Sequence, residues 1–279
     1  MAIKIRLEMN CLARSFRQSG DLMFSLHCTF VIFFLSGIFT NTILFAAESE
    51  LPHIVMLIAE REYATEETLT AFVKERLQGF RVTTVFAAAN DRNSLVGAEA
   101  IESADLLIIS VRRRTLPKVQ LDRVRRYVAA GKPVIGIRTA SHAFSLRGKE
   151  TPEGRAVWPE FDSQVFGGNY TNHHGNSLKT TIDLAKRPMV TDSPLIRDLA
   201  LALPASSQGS LYRVSPVAET AEVLLIGHVE GAKPEPVAWT YRRGDGGKSF
   251  YTSLGHRDDF RGKVLPSLLA NAIDWALTP

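Results

Sequence analysis

Three apolar runs in the first half of the chain leave few folds open to it. HIVMLIA at 53–59, DLLIISV at 105–111 and PVIGI at 133–137 offer almost nothing polar to water, so each has to be covered on both faces. Between them the spacing changes. Leu69, Phe72, Val73 and Leu77 recur at helical intervals within 65–78, and 118–130 reads as a second helix that Gly131 ends. Thr65 and Thr68, around Glu66 and Glu67, mark an acidic helix start. A further strand is expected at 81–87. Strands and helices in alternation predict parallel pairing through right-handed crossovers, with helices on both faces.

The second half has another texture. Segments 178–183, 210–215, 223–229, 237–242 and 249–254 read as strands with little helix between them, and 263–277 reads as a closing amphipathic helix. The expected fold is therefore α/β: a three-layer open sheet with a parallel core and mixed or antiparallel additions. Residues 145–176 are polar and Gly-rich without periodicity. A loop of that length in a compact domain is expected to be functional or mobile.

Ahead of this domain, 22–47 contains no Asp, Glu, Lys or Arg, while Lys4, Arg6, Arg14 and Arg17 precede it. A charged segment followed by an apolar one is the pattern of an export signal. Ala46-Ala47 offers a cleavage point, and at about 26 residues the apolar stretch is also long enough to remain as an anchor. Met9 and Met23 are alternative starts. The expectation is a signal peptide or N-terminal anchor at 1–47 and an α/β domain at 48–279, periplasmic or secreted. Both cysteines, Cys11 and Cys28, fall in the leader. The exported domain would then lack disulfides, thiolate nucleophiles and cysteine-bound metals. Half of the chain's net charge of +4 also sits in the leader, which leaves the domain nearly balanced, so its basic character does not predict a nucleic-acid partner.

Ligands of an open parallel sheet bind beyond the carboxyl ends of its strands, which makes the residues following each strand the candidates. Glu60, Glu62 and Tyr63 follow the first, and Arg112 and Arg113 the third. Arg138, Ser141 and His142 follow the fourth, and His256 follows the strand ending at Leu254. His142 and His256 are candidates for general acid–base work near neutral pH, with Glu60 or Glu62 as partner. Several arginines in one cleft suit an anion or a set of sugar hydroxyls; some are expected to pair with Glu60 or Glu62. Asn172, His173 and His174, after Gly167-Gly168, are further binding candidates. His173, His174, Glu62 and His256 supply nitrogen and oxygen ligands of the zinc type, although adjacent histidines do not match the helical H-E-x-x-H spacing. Tyr63, Phe144 and Tyr170 are candidate platforms for a sugar ring.

PVIGIRTASHAF, VFGGNYTNHHG, PVAWTYRRGDGGKSFYTSLGH and LLANAIDWAL together resemble the ThuA-like (trehalose-utilisation) domain family, over roughly 51–277. That family is similar in fold to class I glutamine amidotransferases, within the flavodoxin-like group. In those amidotransferases the fourth-strand turn reads Gly-x-Cys-x-Gly; here Gly136-Ile137-Arg138-Thr139-Ala140 occupies the stretch. An arginine is never the nucleophile that cysteine is, so glutamine hydrolysis is not expected. Many ThuA-like sequences carry His at this turn, and an acidic residue before Leu211-Tyr212 is replaced here by Gly209-Ser210. The resemblance implies a role in sugar metabolism, beside dehydrogenases that oxidise the 3-hydroxyl of a disaccharide. A 3-keto sugar has an acidified neighbouring C–H, so a base such as His142 or His256 and an oxyanion stabiliser such as Arg138 with Arg112 suffice to isomerise it or expel its glycosidic group. Two alternatives stand beside this: a non-catalytic carbohydrate-binding or sensing domain, and a metal-dependent hydrolase. No cofactor is expected in the leading reading, with a divalent metal belonging to the last. The expected partner is a small-molecule carbohydrate, with no nucleic acid, a membrane only through the N-terminal segment, and self-association into a homo-oligomer left open.

Overall fold

The computed structural model describes residues 51–185 and 193–278. The expected leader, both cysteines, and the candidate start and cleavage points lie outside the described residues. Among those described, no helix is long and apolar enough to cross a membrane.

The described residues hold thirteen strands, in chain order β1 (His53–Ala59), β2 (Arg81–Phe86), β3 (Leu106–Val111), β4 (Leu116–Pro117), β5 (Val134–Ile137), β6 (Arg155–Ala156), β7 (Asn172–His173), β8 (Thr180–Leu184), β9 (Ala205–Ser207), β10 (Tyr212–Arg213), β11 (Glu222–His228), β12 (Glu235–Arg242) and β13 (Lys248–Thr252). Nine of them make one sheet in the order β2-β1-β3-β5-β13-β12-β11-β8-β9. Pairing is parallel from β2 to β13 and antiparallel from β13 to β9. This is the α/β sheet with antiparallel additions that the two textures of the sequence predict.

The three apolar runs are central because each is buried on both sides. Along β1, Ile54, Met56 and Ile58 enter one core with Leu69 and Phe72 of helix α1 (Thr65–Arg76) and Leu268, Leu269 and Ile273 of helix α3 (Val264–Leu277). Val55, Leu57 and Ala59 enter the opposite core with Leu121 and Val124 of helix α2 (Lys118–Ala129). Alternation in one strand thus feeds two layers of helix. Each fully buried aliphatic side chain contributes roughly 1.5–3 kcal/mol before chain entropy is set against it. Gly131, in left-handed conformation at φ 71°, ends α2 by donating from its N–H to Val128 O.

Two local expectations need correction. The strand expected at 210–215 is reduced to β10, which pairs with β7 outside the large sheet; the place beside β8 is taken by β9, which has no apolar alternation to mark it. Segment 145–176 is not an unstructured strap. It carries β6, β7 and the π-helical turn Asp162–Phe166, and its Phe161, Val165 and Phe166 are core residues beside α2. Helix α1 does start at Thr65 with Glu66 and Glu67 in its first turn, as expected, although neither Thr65 nor Thr68 supplies a side-chain cap. Glu60 caps it from outside, its carboxylate accepting from the N–H groups of Glu62, Tyr63 and Thr65 and from Thr65 Oγ1 at 2.7 Å.

Candidate functional site

Beyond the carboxyl ends of β1, β3, β5 and β13 lies a cleft of about 290 Å³. The loops after those strands supply Glu62, Tyr63, Arg112, Arg138, His142 and His256 to its walls. The β7–β10 ladder, in which His173 stands opposite Tyr212, closes the far side. The cleft sits beside β1 and β3, where the sheet order reverses direction around β1, the position at which open α/β sheets bind ligands.

Arg138 is its deepest cation. The residue is buried and takes φ 46°, a left-handed conformation that a non-glycine residue adopts only under constraint. Three contacts hold it there. Tyr251 Oη donates to its carbonyl at 2.6 Å, its Nη1 donates to Ser253 O at 2.7 Å, and its guanidinium lies between the rings of Tyr63 and Tyr212, 4.3 and 4.7 Å from their centroids. Gly255, at φ 135°, passes so close that a Cβ there would lie 2.9 Å from Ile137 Cγ2. Burial works against the charge of Arg138, and the facing phenols of Tyr212 and Tyr63 more than offset it, so that it holds its proton more firmly than a free arginine. It forms no ion pair among the described residues, and its buried Nε has no hydrogen-bond partner there.

His142 is buried next to it. Its ring stacks on Tyr170 at 4.4 Å between centroids, and Nδ1 lies 3.1 Å from Ser141 Oγ. Ser141 Oγ in turn donates to Arg138 O at 3.3 Å. We assign the hydroxyl proton to that bond, which makes Nδ1 the donor to Ser141 and leaves the lone pair on Nε2. Burial first, then the charges of Arg113, Arg112, Arg147 and Arg138, hold its pKa well below 6.5. It is a neutral imidazole at physiological pH.

His256 has the opposite tautomer. Its Nδ1 accepts from the N–H of Asp258 at 3.2 Å, and its own N–H donates to Asp259 Oδ2 at 2.9 Å, a reciprocal cap at the start of a short 3₁₀ turn. Nε2 therefore carries the proton. One histidine of the cleft has an open acceptor nitrogen and the other an open donor.

The remaining candidates divide. Glu62 pairs with Arg112 at 2.8 Å, as expected for an acid after β1. Tyr63 and His173 line the cleft, while Ser141 sits behind His142. Arg113, at φ 50°, donates to Ser145 Oγ at 3.2 Å and borders an adjoining hollow that shares His142, Arg147 and Tyr170 with the cleft. Glu60 is spent on backbone N–H groups, and Phe144 is a core residue rather than a sugar platform. Asn172 is exposed and accepts from the N–H of His173; His174 donates its N–H to Leu211 O and has a buried, unpartnered Nε2. Neither reaches the cleft wall. Glu62, His173, His174 and His256 are not gathered as zinc ligands, for among the described residues no group of three or more His, Cys, Asp or Glu is arranged to hold a metal ion.

Arg147, Asn176, Gln208, Ser210 and Tyr212 also line the wall, and none is among the candidates that the sequence offers. Tyr212 and Ser210 carried one hint, their place at the departure Gly209-Ser210. Beneath Tyr170, Asp162 accepts from its N–H at 2.7 Å, and burial raises the carboxyl to about 7.

The model of the ThuA family, described as trehalose utilisation, matches residues 55–276. A ThuA-like protein of Bacteroides uniformis shares the fold at TM-score 0.56 and 18% identity, over 82% of this chain and 93% of that one. A second, from Parabacteroides merdae, gives TM-score 0.55 and 16% identity over 82% and 90%. No curated protein matches the chain.

Proposed function

We propose, on the premise that this chain belongs to the ThuA (trehalose-utilisation) family, that it is an exported enzyme acting on a keto-glycoside by proton abstraction. A carbohydrate function related to trehalose utilisation comes with the family; the reaction and the export are our reading. The observation that carries the reaction is the complementary pair of histidines. His142 has a neutral ring with an open acceptor nitrogen, and His256 has an open donor.

In a 3-keto-glycoside the carbonyl acidifies the C2–H bond, and the glycosidic oxygen sits on the next carbon. His142 Nε2 takes the C2 proton and the bonding pair enters the enolate, whose oxygen is stabilised by Arg138 and its neighbouring cations. The enolate then reforms the ketone as the C1–O bond breaks. The oxygen leaves with the proton of His256 Nε2, and a C1–C2 double bond remains. Arginine suits the oxyanion role here because its charge is permanent and the two tyrosine rings fix its plane.

Exchange of the C2 hydrogen of 3-keto-trehalose for deuterium, followed by NMR, isolates the first step. The expected result is catalysed exchange by the native protein, loss of at least about a hundredfold in His142→Gln, and retained exchange with lost elimination in His256→Gln. Unchanged exchange in His142→Gln removes His142 from the mechanism.

A further inference from the structure

Among the described residues, left-handed backbone and arginine charge without an ion pair coincide around the cleft. Non-glycine residues with left-handed φ are Ala64, Arg113, Arg138, Arg147 and Asp198. The three arginines, at 50°, 46° and 51°, all border the cleft or its adjoining hollow. None of the three forms an ion pair among the described residues, whereas Arg112 beside them does. The buried Nε atoms of Arg113 and Arg138 are without partners. Of the carboxylates near them, Glu62 is engaged by Arg112, Glu60 by backbone N–H groups, and Asp259 by the N–H groups of Gly255 and His256. Asp162, bordering the hollow, pairs with no cation among the described residues and its carboxylate accepts only from the Tyr170 N–H; burial raises this carboxyl to about 7, which weakens it as a counter-charge near neutral pH. Burial first, and next the charge of Arg147, loosen the proton of Arg113.

A single oxyanion developing during proton abstraction offers one negative charge against three unpaired cations. Ground-state anionic groups fill the difference better than a neutral disaccharide does. We infer that the cleft takes an anionic carbohydrate, one bearing a carboxylate or a phosphate, and that Arg138, Arg147 and Arg113 determine this specificity. The inference rests on the carbohydrate reading above and names its substrate class. Arg138 supplies a fixed, desolvated charge at the floor. Arg147, exposed at the mouth, is the residue that meets the anion first. The small volume suits one sugar unit, free or at the end of a longer glycan.

The test is calorimetric titration of the purified protein at low salt with glucuronate, glucose 6-phosphate, glucose and inorganic phosphate. Either anionic sugar is expected to bind at least about tenfold more tightly than glucose, with the preference shrinking in 0.5 M salt; the better of the two tells carboxylate from phosphate. Arg147→Gln, at an exposed position where folding is secure, is expected to reduce that preference about tenfold, and Arg138→Gln to abolish it if the variant folds. Equal affinity for glucuronate, glucose 6-phosphate and glucose overturns the inference and leaves the carbohydrate reading intact. Inorganic phosphate bound as tightly as either anionic sugar overturns it too, since the site would then read charge without sugar. No binding of any sugar overturns both.

Discussion

A Cβ on Gly209 would stand 2.7 Å from Nη1 of Arg138. The end of an arginine side chain normally moves aside cheaply, but this one is held by Ser253 O and by two aromatic faces. Gly209→Ala is therefore expected to behave as overpacking of a fixed group, costing about 1–3 kcal/mol, or a fall in Tm of roughly 2–10 °C for a domain of this size. Turnover should fall with it. A variant with native Tm and native turnover would show that the guanidinium is free to shift.

Glu60→Ala removes the acceptor for three backbone N–H groups and a hydroxyl at the start of α1. Leaving buried donors without partners costs about 1–3 kcal/mol each where water does not replace the carboxylate. A loss near 3 kcal/mol overall is expected in denaturant titration. Because Tyr63 rides on this turn, ligand affinity should weaken as well; a change below about 0.5 kcal/mol would assign the capping to solvent instead.

These two residues also mark what the sequence made legible. The parallel core was readable because burial on both faces leaves a direct signature in 53–59, 105–111 and 133–137, and the positions after those strands follow from topology. Glu60 was misplaced because a carboxylate after a strand looks the same in sequence whether it faces a ligand or its own backbone. Gly209, Ser210 and Tyr212 were opaque for another reason: their roles exist only relative to Arg138, which reaches Ser210 across 72 positions of chain. Arg138 and Gly209 form one feature, since the guanidinium occupies the room that a Cβ at 209 would take.

Asp162 and His142 impose opposite slopes on stability. In the unfolded chain the Asp162 carboxyl ionises near 3.8, and in the folded protein only near about 7. Its contribution is full below the lower value and is lost as pH rises through the upper one. The span corresponds to a few kcal/mol, of order 4. Asp162→Asn should therefore raise stability at pH 8 and leave it nearly unchanged at pH 4, as measured by urea unfolding at both. Equal effects at the two pH values would contradict the assignment.

His142 is neutral when folded, whereas in the unfolded chain it takes a proton near 6.5. The folded state therefore loses stability as pH falls below 6.5 toward the depressed value, and gains nothing further above it. Since the ring stays unprotonated in that window, the acid limb of kcat/KM should lie below pH 6.5. His142→Gln should remove the matching slope from the stability profile. An acid limb at or above 6.5 would mean that some other group is titrating.

Glu62→Gln separates charge from stability. In the Glu62–Arg112 pair the side chains are 47% and 37% exposed, respectively, so its removal should change stability by no more than about 1 kcal/mol. It does, however, leave the charge of Arg112 uncompensated beside His142, which already lies below its ordinary range partly through Arg112. The imidazole pKa, followed by NMR, should drop further in this variant, and the affinity for an anionic ligand should rise. If neither moves while Tm stays native, the charge of Arg112 is screened from the cleft and the oxyanion role falls to Arg138 and Arg113 alone.

Arg138→Lys keeps one positive charge at the floor of the cleft and discards everything else about it. An ammonium has no plane to lie between Tyr63 and Tyr212, and it is more strongly hydrated, which makes burial at this depth costlier. The strained backbone would be unaltered, because Tyr251 Oη bonds the carbonyl rather than the side chain. Two consequences are separable. If the charge alone stabilises the oxyanion, turnover survives with at most about a tenfold loss; if the fixed donor geometry matters, the loss approaches the hundredfold to thousandfold cost of removing one preorganised donor. The rigid clamp around the guanidinium leads us to expect the larger loss, with KM changed less than kcat, since a displaced donor is felt most where charge develops. A native kcat in Arg138→Lys would reduce the role of this residue to electrostatic steering.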